Sequence, residues 1–543
     1  MSSPAGPATL DPGPPPAGGA ARPPVRRRRR AGPWYLWLAA FAVLLPIVAP
    51  FVLLAGRVIG ASDAAWEVLF SARTLRLIVN TLLLAATVTA VAAAIGVTAA
   101  WLLTRTDLPR RTAWMVLVTV PLVIPSYVMA LSYLSAFGGR GLFADLSGVE
   151  LPAVSGFFGA WLVLTLATYP LIFLPAVAAL RRMDRGLEEA ARSLGKSPAE
   201  TFRSIVLPQL RPAVGAGSLL VALYTLSDFG AVSLMRFDSF TRVIYAQYQG
   251  RLDRTPAAVL AVVLVLIAVG VLWLEQRTRG RGAFFSQHPA HPPRLFALRR
   301  RQRMAAEIGL GALVLVALAL PLGVLAAWVA RGRAAGTAID LDWGAVAGSL
   351  AGSGAAAILA IAAVVPIAVL VVRYPTVYSR WVERSVYGVF ALPHITVALA
   401  VVFFAANYMG PFYQSLLLLV VVYTVIFLAQ ALGSARASLL QVDPHLEEAS
   451  RGLGHGSLAT MARVTVPLIW KGLAVGGALV FLTAMKELPA TLLLRPTGFD
   501  TLAVEIWSAA ADLRYATAAA PALLLVVVSA IPMYFLSRRT DDL

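Results

Sequence analysis

The sequence predicts an all-α polytopic membrane protein, with about twelve spanning helices arranged as two parallel halves of six. Three observations lead there. Hydrophobic residues make up 59% of the 543 positions and charged residues only 13%, against about 25% charged in soluble chains. Twelve runs are long and apolar enough to cross a bilayer, which takes about 20 residues. A stretch beginning at Asp184 is repeated, without gaps, from Asp443.

The elements follow in chain order. Residues 1–33 are rich in Pro, Ala and Gly and carry the basic run Val25–Arg30. Such a composition predicts a disordered cytoplasmic tail, with the arginines as a cytoplasmic anchor; binding to anionic lipid or to a partner is the alternative reading. The first half is expected over 34–274, with spans near 34–55, 77–103, 113–136, 157–180, 213–235 and 257–274. Residues 275–304 are polar, hold eight Arg, and read as a cytoplasmic linker. The second half follows over 305–543, with spans near 305–330, 345–372, 385–406, 413–432, 472–494 and 517–537. With the N-terminus inside, most of the 46 Lys and Arg fall on inside segments. The positive-inside rule then places both termini in the cytoplasm.

Composition also excludes. There is no cysteine, hence no disulfide and no thiolate metal site. The net charge of +19 sits in Arg-rich segments that flank apolar runs. That pattern fits membrane orientation and gives no reason to invoke nucleic acid.

The repeat is the most informative feature. "DRGLEEAARSLGKSPAETFRSIVLP" and "DPHLEEASRGLGHGSLATMARVTVP" align at an offset of 259 residues. Six spans separate the copies, so both lie on one face and the halves repeat in parallel. Each copy reads as helix–Gly–helix. Asp184 is placed to cap the first helix, and Glu188 and Glu189 make its first turn acidic. Gly195 stands where a left-handed helix stop belongs. Ser197, Pro198 and Glu200 then read as a capping box with Pro at the first helical position.

This disposes of a near match. Ala190–Ser197 reads A-x-x-x-x-G-K-S, one residue from a phosphate loop. A phosphate loop needs a strand before it and a helix after it, and here a helix comes first. The second copy, Gly454-His455-Gly456, has neither the Lys nor the Ser. Asp228-Phe229-Gly230 likewise lacks the other kinase elements.

The pattern E-A-A-x₃-G-x₉-I-x-L-P fits Glu189, Ala190, Ala191, Gly195 and Pro208. Glu448, Ala449, Ser450, Gly454 and Pro467 fit it with conservative departures. The chain thereby resembles the membrane permeases of binding-protein-dependent, type I ABC importers, with both halves fused in one polypeptide. The resemblance implies coupling loops at 181–212 and 433–471, each docking one subunit of a homodimeric ABC ATPase. It also implies an extracytoplasmic substrate-binding protein, location in a bacterial cytoplasmic (inner) membrane, no cofactor, and ATP hydrolysis by a separate subunit. An ATP-independent secondary transporter with six-span halves is the alternative class, and would not need the two matched loops.

Charges inside apolar runs point to a pathway. An Asp or Lys at a helix centre costs about 2.5–3.5 kcal/mol. Asp228 in the fifth run aligns with Glu487 in the eleventh at the same offset, and Arg236 aligns with Arg495. Lys486, which points away from Glu487 on a helix, is placed to pair with Asp228 across the halves. A structural intramembrane pair, or an interfacial position near the outer surface, is the other reading. The surrounding stretches look most like the ferric-iron permeases of this family, with thiamine, phosphonate, polyamine and sulfate permeases as near relatives. Tyr127, Tyr133, Tyr245 and Tyr248 are hard oxygen groups. His394, His445 and His455 show no metal-ligand spacing, and His394 reads as a satisfied helix residue. No metal site is assigned.

Overall fold

The computed structural model describes residues 32–60, 63–138, 141–183, 186–250, 253–278, 295–336 and 341–540. The tail at 1–31, the capping residue Asp184 and most of the linker lie outside the described residues.

Among the described residues the protein is helical, apart from one parallel bridge between Thr106 and Phe296. Backbone groups in hydrocarbon must be satisfied within their own segment, so apolar runs of this length form helices. Nine helices among the described residues are long and apolar enough to span. Two further spans are helix pairs bent at a short break. Tyr515–Ile531 is a shorter apolar helix at the place of the twelfth run. The twelve expected runs are therefore all helical, but four of them are interrupted.

The interruptions come in like pairs. In span 3, Arg111–Val123 meets Ser126–Ala136 at 92°; in span 9, Val377–Phe390 meets His394–Tyr408 at 106°. Pro125 and Pro393 sit at these corners, where a missing N–H and a bulky ring stop the preceding helix. Span 5 was expected to run unbroken through Asp228. Its helix ends at Ser227, Asp228 is extended, and a short helix Gly230–Leu234 follows. Span 11 ends likewise at Met485 and resumes as Pro489–Leu494.

Packing repeats as well. A Cβ on Gly217 would come within 2.8 Å of the Ile172 backbone, and one on Gly476 within 2.9 Å of Ala431. Both pairs differ by 259, so span 5 lies on span 4 as span 11 lies on span 10. Small residues that let backbones meet are the usual glue of membrane helices. The first span of each half crosses over. Trp34–Ile59 lies against spans 8 and 9, and Arg300–Ala334 against spans 3 and 12. The helix that carries span 7 starts at Arg300, within the last residues of the expected linker.

Candidate functional site

Two regions carry the residues singled out by the sequence. The first is the pair of loops. Gly186–Ser193 forms a short helix, Gly195 stops it at φ +84°, and Pro198–Thr201 opens the next. Pro444–Gly452, Gly454 at φ +86° and Ser457–Thr460 repeat this. The capping box is present: Glu200 accepts from the Ser197 N–H at 2.8 Å, and Ser197 Oγ accepts from the Glu200 N–H at 3.3 Å. The Ser197 N–H first, and the Ser197 hydroxyl second, hold the Glu200 carboxyl below its ordinary range. In the second copy Asp443 caps the helix through the His445 N–H at 2.9 Å.

Each second helix continues through one wide turn, Phe202–Val206 or Met461–Thr465, and then reaches Pro208 or Pro467. A proline cannot donate into the ladder and its ring displaces the preceding carbonyl. The wide turn absorbs both defects.

The structure divides the two adjacent glutamates of each loop. Glu189, Ala190, Glu448 and Ala449 are exposed, while Ala191 and Ser450 face inward. Glu188 is buried and meets Arg105, the last residue of span 2, at 2.9 Å. Glu447 is buried and meets Arg373, the last residue of span 8, at 3.2 Å. Arg105 and Arg373 differ by 268, so this anchor is duplicated. The motif drew attention to the exposed glutamates. Glu188 and Glu447 were visible as a repeated pair, but their arginine partners lie far away in sequence. Leu194 and Leu453 at the helix tips are 83% and 80% exposed, which leaves an apolar knob on each loop.

The second region is where the four breaks meet. A break in an apolar helix frees N–H and C=O groups that need partners. Asp228 takes the N–H groups of Ala231 at 3.0 Å and Val232 at 3.2 Å, and accepts from the Ser126 hydroxyl. Glu487 takes the Ala490 N–H at 3.1 Å and meets His394 Nδ1 at 2.8 Å. Ser126 and His394 are each the first residue after the proline corner of their half, and they too differ by 268. Each half thus joins the corner of one broken span to the carboxylate of another. His394 is the satisfied helix residue expected, and it is also the counterpart of Ser126. The clue in sequence is the shared Pro125-Ser126 and Pro393-His394.

Lys486 does not pair with Asp228. Its ammonium donates across the halves to the Val123 carbonyl at 3.3 Å, the carbonyl freed by the span 3 break. Tyr127 is buried, its hydroxyl has no hydrogen-bond partner, and it lies within electrostatic reach of Glu487, Tyr224 and Tyr423. A Cβ on Gly230 would come within 2.7 Å of Tyr127 and 3.3 Å of Leu488, so this is the seam between the halves. Arg236 and Arg495 are not brought to it. Arg236 is exposed, with φ +56°, and Arg495 pairs with Asp500. Among the described residues no group of three or more His, Cys, Asp or Glu is placed to hold a metal.

Two like halves, a polar seam between broken helices and two matched loops define a two-fold membrane permease, a transport component rather than a catalytic subunit. The chain belongs to the family of binding-protein-dependent transport system inner membrane components, whose model matches residues 92–278 and again 352–541. It is 33% identical over 512 residues to the Fe(3+)-transport system permease protein FbpB 2 of Haemophilus influenzae, covering 93% of this chain and 98% of that protein. It is 26% identical to the probable ABC transporter permease protein y4fN of Sinorhizobium fredii, covering 82% and 83%. A probable molybdenum ABC transporter permease of Haloferax volcanii is 33% identical over 39% of this chain and 77% of that protein.

Proposed function

We propose that the chain supplies both membrane-spanning halves of an ATP-driven importer that takes ferric iron from a binding protein and releases it into the cytoplasm. The observation that carries this reading is the alignment, nearly end to end, with a protein named as an Fe(3+) permease. The relatives named for sulfate or molybdenum align over 40% and 39% of the chain, so they support the family more than the cargo.

In this reading each loop docks one subunit of a homodimeric ATPase. The exposed residues Glu189, Ala190, Glu448, Ala449, Leu194 and Leu453 provide the contact. The inward residues Ala191 and Ser450, the stops Gly195 and Gly454, and Pro208 and Pro467 hold it in shape. The buried pairs Arg105–Glu188 and Arg373–Glu447 pass the movement to spans 2 and 8. ATP closes the ATPase pair, the halves swing as rigid bodies, and the seam opens to one side at a time. Asp228, Glu487 and Lys486 belong to that gate. Carboxylate and phenol oxygens are hard groups suited to a hard cation, and a pathway holds its cargo weakly enough to release it. Arg236 and Arg495 lie off the gate and are assigned to its flanks. Both termini and both loops face the cytoplasm, the membrane being the bacterial inner membrane.

The docking half of this reading has a direct test. With no native cysteine, Leu194→Cys and Leu453→Cys each offer one thiol to a short crosslinker. Both should crosslink to the cognate ATPase subunit. Failure of both, in membranes where the complex assembles, would remove the docking assignment.

A further inference from the structure

The two loops differ in what stands behind them. Beside the first, the chain entering span 7 runs as a short extended strap, residues 295–299. The Phe296 N–H donates to the Arg105 carbonyl at 2.8 Å, and its carbonyl accepts from the Asp107 N–H at 3.1 Å. Asp107 also accepts from the Leu298 N–H at 2.9 Å and from Arg303 at 2.6 Å. The Phe296 ring stacks on Trp101 at 5.9 Å and carries the guanidinium of Arg192, in the first loop helix, at 4.9 Å. Trp101 in turn meets Phe202 edge-on at 6.3 Å. The strap therefore ties the loop helix to the end of span 2.

The repeat shows what the second half has at the same positions. Trp101 becomes Val369, Asp107 becomes Pro375 and Phe202 becomes Met461, while Arg105 and Arg192 are kept as Arg373 and Arg451. Pro375 has no N–H to donate and no carboxylate to clamp a strap. Val369 offers no ring to stack on. Where Phe296 would lie there is instead a cavity of about 920 Å³, lined by Val369, Arg373, Tyr374, Arg451 and Met461. Tyr35, at the start of span 1, reaches its edge through Ser457. The recognition elements for a strap are thus present in one half and replaced in the other.

We infer that Phe296 is a positioning residue that braces the first loop helix from behind, so that the two loops meet their partner with unequal stiffness. The counterpart of the strap is the chain entering span 1, where Gly32 lies against Leu370 and Tyr374 and brings no aromatic ring to position 369. The inference rests on the docking reading only for what the helix is positioned to do.

The test compares equivalent positions in the full chain. A spin label is placed at Leu194→Cys or at Leu453→Cys, 259 residues apart and similarly exposed, in nanodiscs without ATPase. The label at 194 should be the less mobile, its rotational correlation time about twice as long. Phe296→Ala should bring it to the value at 453 and leave 453 unchanged, and Phe296→Trp should restore the difference. If Phe296→Ala folds poorly, Leu298→Pro keeps the ring, removes the N–H given to Asp107 and should loosen 194 in the same direction. Equal mobility at the two sites in the unaltered chain, or no change at 194 in either variant, would overturn the inference. With ATPase and binding protein added, Phe296→Ala should raise the ATP hydrolysed per cargo carried by about twofold or more. An unchanged ratio beside a clear mobility shift would count against the docking reading and leave the brace standing.

Discussion

Replacing Glu188 by Gln removes one charge from a pair that is almost wholly out of water. The two side chains are 3% and 9% exposed, and the atoms are 2.9 Å apart. At an effective dielectric of about 20, the attraction at that distance is about 6 kcal/mol before desolvation. Neither Arg105 Nη2 nor Glu188 Oε1 makes an aligned hydrogen bond, so the pair is held chiefly by charge. Removing one partner of a buried pair costs about 3–5 kcal/mol, because the other charge is stranded. Gln keeps an acceptor, so about 2–3 kcal/mol is expected. That converts to a roughly 30- to 150-fold rise in the population of the detached loop helix. Glu447→Gln should do less, about 1 kcal/mol. Arg373 is 13% exposed and keeps the Val442 carbonyl at 3.0 Å, and wetter pairs are worth less. Hydrogen exchange of the amides in Gly186–Ser193 and Pro444–Gly452 reads both openings. Arg105→Met with Glu188→Met should return exchange toward the parent rate, since an apolar pair of similar volume is often neutral. Equal acceleration in both loops, or none in the first, would refute the argument from burial.

Other outcomes follow from the same geometry. Asp228→Asn and Glu487→Gln keep their capping shape and should fold, but each should lower uptake by about tenfold, or 1.4 kcal/mol, in a vesicle transport assay. Gly195→Val or Gly454→Val puts a side chain in the left-handed region at a cost of about 1–2 kcal/mol, so ATP hydrolysis should continue while uptake falls. Lys196→Ala should leave transport unchanged and photolabelling by an ATP analogue absent from this chain, because Gly195-Lys196-Ser197 is a seam between two helices. The Leu298 N–H first, then Arg303, hold the Asp107 carboxyl below its ordinary value of 3.8. A depressed carboxyl stabilises fully above that value and less as pH falls through the lower one. Strap docking, read by the label at 194, should therefore be flat from roughly pH 5 to 8 and weaken only in stronger acid.

Much of this was legible in sequence, for reasons that differ by element. Apolar length fixes the spans, since hydrocarbon leaves few alternatives to a helix. Local chemistry fixes the loops: Gly195, Gly454 and the Ser197–Glu200 box do what their side chains and backbones require. The breaks were not foreseen. Asp228 in an apolar run reads as a charge within a helix, whereas its carboxylate caps a new helix after a chain break. Lys486 was matched to the opposite charge across the halves, but a freed carbonyl at Val123 was nearer. The pairs Arg105–Glu188 and His394–Glu487 join residues about 80–95 positions apart, beyond the reach of any periodicity. They become visible only when the second offset, 268, is set beside the first, 259.

Coupled transport of iron is measured directly in a reconstituted system. The chain is reconstituted in vesicles with its ATPase, and radiolabelled ferric iron is supplied on the binding protein outside. Iron should accumulate only with hydrolysable ATP within and the binding protein without. Accumulation driven by an ion gradient in the absence of ATP, or ATP-dependent uptake of another cargo with iron left behind, would contradict the proposed function.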